Sequence, residues 1–175
     1  MKTTRSNVFE TNSSSVHTVC VRPITENYDT HQVLPVDYDG NVIGEFMEFG
    51  WSGNCNTARD KLAYLLVMIW ETIPYDNKPH DASIWCTDFK SERDNAIRVI
   101  KETDAFKRLE NILKEYGGYN GLDISNESEG YIDHQSCEYY SSLDGFLNDN
   151  GINSDKDIYD FIVGPSYIVI DNDNH

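Results

Sequence analysis

At 175 residues, 39% of them hydrophobic and 12% aromatic, the chain can fill one sizeable core but not two, and it is too rich in Tyr, Phe and Trp to be disordered. Thirty acidic against fourteen basic residues leave a net charge of -16 at pH 7. That balance argues against direct binding to nucleic acid or an anionic membrane and favours basic partners or cations. The longest unbroken apolar run, Leu62 to Trp70, has nine residues, far short of the ~20 that span a bilayer.

In chain order, the opening MKTTRSNVFE has no apolar stretch or small-residue cleavage site, so a cytoplasmic protein is expected. Arg5 to Thr18 is unusually polar. Asn7, Glu10, Thr11, Asn12, Ser13, Ser14, Ser15 and His17 together offer a carboxylate, two carboxamides, four hydroxyls and an imidazole. Two readings stand side by side: a loop that holds a ligand, ion or partner, or a turn whose short polar side chains bond their own backbone.

Val16 to Arg22 predicts a strand that Pro23 ends. Residues 24 to 40 read as a loop and turn, with Asp37 to Asn41 closing a hairpin; Asn41 to Phe49 alternates as one strand with an apolar face. Residues 50 to 56 read as a Gly and Asn loop. Thr57 and Asp60 then open a helix whose apolar residues leave almost no polar face, so it should be buried, with Pro74 stopping it. Met68 and Trp70 belong to that core rather than to a cofactor site. Ser83 to Cys86 suggests a short strand.

Asp88 to Tyr116 carries two amphipathic helices, the second capped near Thr103 and ended by Gly117-Gly118. It holds seven basic and seven acidic residues, usually a sign of a solvated face. A narrower reading is a stripe of Lys90, Arg93, Lys101, Lys107 and Arg108 that touches phosphates. From Tyr119 onward twelve acidic residues face only Lys156. Gly130 to Asp133 predicts a strand, Ser141 to Asn148 and Ser154 to Val163 short helices, and the β-branched run SYIVI, 166 to 170, a central strand.

The expected architecture is therefore α+β: a single domain over residues 1–175, with a mostly antiparallel sheet of four to six strands, one buried helix and peripheral amphipathic helices. Cys20, Cys55, Cys86 and Cys137 form no CxxC pair and are expected to be free thiols. No cofactor is expected. Three polar clusters flank predicted strands: Glu10 to His17, then Asp133, His134, Gln135 and Ser136, then Asp171 to His175. If they converge on one rim, their carboxylates and imidazoles suit a divalent metal or acid–base chemistry. No HExxH, P-loop, GxSxG or regular DxDxDG loop is present.

The words RSNVFETNSSSVH, EFGW at Glu48 to Trp51, GYIDHQS at Gly130 to Ser136 and SYIVIDNDNH resemble a widespread family of small proteins from phages and prophages of Firmicutes. The resemblance runs end to end. It implies a phage protein, of a type that includes a type II-A anti-CRISPR, an inhibitor of Cas9. Asn7, Glu10, Asn12, Ser13, Ser14, His17, Asp133, His134 and Gln135 lie within the shared words. Charge adds a mechanism, because Cas9 holds its nucleic acids in positively charged channels. Glu127, Glu129, Glu138, Asp144, Asp149, Asp155 and Asp157 would there replace phosphates, with Cas9 or its guide RNA complex as partner. Contact with DNA and formation of a homo-oligomer are both compatible with this expectation. The alternative is a small enzyme or ligand-binding protein that uses the polar clusters against a nucleotide or another cellular target.

Overall fold

The structure, a computed structural model, describes residues 17–23, 32–49, 53–78, 90–125, 131–132 and 143–172. It is organised around helix α1, Ala58–Thr72. Thr57 starts α1 through a capping box: its hydroxyl accepts the Asp60 N–H at 3.1 Å and the Asp60 carboxylate accepts the Thr57 N–H at 3.3 Å. At the other end Ile73 leaves helical geometry, directly before Pro74. Every residue from Lys61 to Trp70 is buried, as an apolar surface on all sides demands.

Among the described residues three small sheets, rather than one of four to six strands, accompany this helix. β1, His17–Pro23, and β4, Gly53–Cys55, flank β7, Ser166–Asn172, both antiparallel to it. The expectation that the SYIVI strand is central therefore holds. β2, Asn41–Gly44, runs parallel to β5, Gly121–Ile124, and β3, Glu48–Phe49, runs parallel to β6, Tyr131–Ile132. Parallel pairing follows from connectivity, since a long helical crossover and not a tight turn joins each pair.

The single strand expected over Asn41 to Phe49 breaks at 45–47 although burial alternates from 41 to 47, Val42, Gly44 and Phe46 facing inward. Glu45 leaves the ladder to pair with Arg59 of α1. Gly44 lets β2 approach α1, because a Cβ there would lie 2.4 Å from a Leu66 methyl. The expected hairpin is reduced to one bridge between Val36 and Val42. The loop expected at 50 to 56 contains β4. The strand expected at Ser83 to Cys86 lies outside the described residues.

α2, Lys90–Glu102, and α3, Asp104–Gly117, meet where Thr103 leaves the first and caps the second by accepting the Phe106 N–H. Gly118, at φ 70°, closes α3 in left-handed geometry. α4, Leu143–Asp149, and α5, Asp155–Val163, bury Leu143, Phe146, Leu147, Ile158, Phe161 and Ile162. Ser154 and Asp157 cap α5 reciprocally. Among the described residues no helix is long and apolar enough to cross a membrane.

Candidate functional site

The register of β1 on β7 brings the described ends of two of the three polar clusters, His17 of one and Asp171 and Asn172 of the other, to one end of a sheet. His17 lies opposite Asn172 and Thr18 opposite Asp171. Ile168 and Ile170 of β7 are buried, and the backbone pair of His17 with Asn172 lies two positions beyond Ile170 along the same ladder. β6, which leads toward the third cluster, belongs to another sheet, with Tyr131 paired to Glu48. Asn7, Glu10, Asn12, Ser13, Ser14, Asp133, His134 and Gln135 lie outside the described residues, as do Glu127, Glu129 and Glu138. Among the described residues no group of three or more His, Cys, Asp or Glu side chains is arranged to hold a metal ion.

Of the acidic residues expected to meet a partner, the described ones sit on α4 and α5. Asp144, Asp149, Asp157 and Asp160 are exposed and Asp155 is half-buried. Arg108 of α3 reaches between the two helices, its Nη1 2.8 Å from the Asp144 carboxylate and its Nη2 2.8 Å from that of Asp155. One guanidinium thus fixes two carboxylates in place while leaving the trio net negative. Asp157 accepts the Ser154 N–H, and bonding to Ser154 holds its carboxyl below the usual range. Lys156 pairs with Asp160 one turn on.

Three of the five basic residues of the expected stripe are engaged within the protein. Lys101 bonds Asp123 of β5, Lys107 donates to the carbonyl of Glu102 at the end of α2, and Arg108 is held as above. Each cation braces a junction between elements, where a helix C-terminus or a neighbouring carboxylate attracts it. Lys90 and Arg93 lie on the first turns of α2.

The residue that sequence reasoning passed over is Lys61. It is fully buried, and its ammonium donates to the carbonyls of Gly164 at 2.8 Å and Ser166 at 2.9 Å, with the Phe161 ring centroid 5.5 Å away. The pair of bonds ties α1 to the turn between α5 and β7, and so holds the start of β7 against α1. Burial drives its pKa down to about 8, against the opposing pull of Asp60 and Cys55. Cys55, a free thiol on β4, is pushed up to about 12, chiefly by burial. The available signal was a lone lysine one position before an unbroken apolar run.

No protein-family model, curated protein or solved structure matches the chain.

Proposed function

We propose that this protein is a phage-encoded antagonist of a bacterial defence nuclease, an anti-CRISPR that binds Cas9 or its guide RNA complex and blocks DNA binding or cleavage. The observation that carries the reading is the α4–α5 platform. Its underside is locked into the core by Phe146, Leu147, Ile158 and Phe161, while Asp144, Asp149, Asp155, Asp157 and Asp160 stand on the solvent side or at its edge. A row of carboxylates held at fixed spacing on rigid helices suits a channel built for phosphates, because little ordering remains to be done on binding. Long-range attraction from the net charge of -16 speeds the encounter.

A second reading follows from His17 lying opposite Asn172: a small enzyme or ligand-binding protein with its site at that sheet end. The two differ in stoichiometry. Titrated into a Cas9 cleavage reaction, a binding antagonist stops cleavage at about one equivalent, whereas an enzyme acts far below it. Inhibition at a small fraction of an equivalent would move the argument to the polar rim, and no inhibition at several equivalents would end the antagonist reading.

A further inference from the structure

Among the described residues four large hydrophobic side chains are exposed, and three of them fall within six positions: Val33 at 85%, Val36 at 49% and Tyr38 at 104% of full exposure. Isolated exposed apolar residues are ordinary, but three along one short tongue form a patch. The tongue is also fastened along its length. At its base the Gln32 N–H donates to the Val163 carbonyl at 2.9 Å, and the Gln32 side chain bonds both the Asn56 carbonyl and the Ala58 N–H at the start of α1. Leu34 is buried in the core, and the Pro35 carbonyl accepts the Ile43 N–H.

At the tip, the Asp37 carboxylate accepts the backbone N–H of Asn41 at 2.8 Å and its side-chain amide at 2.9 Å. These bonds hold the Asp37 carboxyl below the usual carboxylate range. Gly40 supplies the left-handed φ of 80° that the turn needs. Asn120, from the α3–β5 turn, donates to the Asp39 carbonyl from its side chain and to the Gly40 carbonyl from its backbone. All this bonding acts on the backbone and on Asp37, Asn41 and Asn120, while the Tyr38 ring stays wholly in solvent. A rigid turn that lifts a tyrosine clear of the surface has the properties of a binding anchor: large apolar area, two torsions to freeze, and no loop to order.

Charge decides what the tongue meets. Asp37 and Asp39 flank Tyr38. Those carboxylates and the net charge of -16 oppose a second copy of the chain, a nucleic acid backbone or an anionic membrane. We infer that the Val33 to Asp39 tongue is a docking element that seats Tyr38 in an apolar pocket rimmed by basic side chains on a partner protein. The inference rests on the antagonist reading and adds a second contact to it: α4–α5 supplies charge, the tongue supplies the apolar anchor.

The test measures binding of purified wild type, Tyr38→Ala, Tyr38→Phe and Val33→Ser to immobilised Cas9–guide RNA complex, with circular dichroism and thermal melts to verify folding. Tyr38→Ala should weaken binding about 30-fold, Val33→Ser less, and Tyr38→Phe within about 3-fold, all with melts unchanged because these side chains are exposed. A photo-crosslinking benzoylphenylalanine at position 38 should cross-link to the complex, and one at the exposed position 95 of α2 should do so much less. Wild type and Tyr38→Ala binding equally, or cross-links no stronger from 38 than from 95, overturns the docking element and leaves the antagonist reading standing. Absence of wild-type binding overturns both.

Discussion

Lys61→Ala should destabilise the protein by about 3 kcal/mol at pH 7. The Gly164 and Ser166 carbonyls lose the Lys61 ammonium as donor, at about 2 kcal/mol each. Loss of the lysine stem adds roughly 2 kcal/mol. Against this, a buried ammonium whose pKa falls from 10.5 to about 8 is disfavoured by roughly 3 kcal/mol, and that penalty disappears with the side chain. Lys61→Met keeps most of the stem and should therefore cost only about 1 kcal/mol. At about 2–4 °C per kcal/mol for a chain of this length, the alanine variant should melt about 6–12 °C lower.

The same residue sets a pH dependence whose sign can be worked out. Unfolded, Lys61 keeps its proton up to 10.5; folded, it releases it near 8. Between those values the unfolded chain binds more protons, so the Lys61 contribution makes stability rise with pH by about 1.4 kcal/mol per unit. Cys55 acts in reverse: its folded thiol holds the proton to about 12 against an ordinary 9.0, so stability falls with the same slope above 9.0. For this pair the gain is confined to pH 8 to 9. Denaturant melts of wild type and Lys61→Met isolate the lysine, and the wild-type advantage should widen by roughly 3 kcal/mol between pH 8 and 10.5. A constant difference across that range would contradict a buried ammonium.

Gly164→Ala should cost at least as much, about 3 kcal/mol. A Cβ at this position would stand 2.2 Å from the Asp160 carbonyl oxygen, a backbone atom that cannot swing aside. The same oxygen accepts the Gly164 N–H that ends α5, and the Gly164 carbonyl is one of the two Lys61 acceptors. Moving Gly164 therefore disturbs the helix end and the lysine together. Its effect and that of Lys61→Met should not add; a double-mutant cycle on melting free energies should show coupling above about 0.5 kcal/mol. Strict additivity would mean that the two residues do not share one junction.

Where local signals agreed, the chain was legible in advance. Thr57 with Asp60, Thr103, Ser154 with Asp157, Gly118 and Pro74 mark helix ends through hydrogen bonds and backbone limits that act over a few residues, and the structure uses each of them so. The buried α1 and the central β7 followed from apolar content alone. What stayed hidden depends on long-range pairing. β4 is only Gly-Asn-Cys and β5 only Gly-Leu-Asp-Ile, too short to declare themselves until β7 and β2 lie alongside. For the same reason one sheet was expected where three formed. Both polar clusters that meet at the β1–β7 sheet end were named from the sequence as flanking strands, but only the register places Asn172 opposite His17. Lys61 and Tyr38 were missed because one breaks the rule that charges stay outside and the other the rule that aromatic rings go inside. Both departures fall at places where the fold does something specific, a junction in one case and the proposed anchor in the other.

The central claim, that a charged surface docks into a basic nucleic-acid channel, is tested most directly by measuring the affinity of the purified protein for Cas9–guide RNA complex at low and high salt, with target DNA as competitor. The account predicts a one-to-one complex whose affinity falls steeply as salt screens the carboxylates, and which excludes target DNA once formed. No complex at several-fold molar excess across Cas9 proteins from several Firmicutes, or a complex indifferent to both salt and DNA, would contradict it.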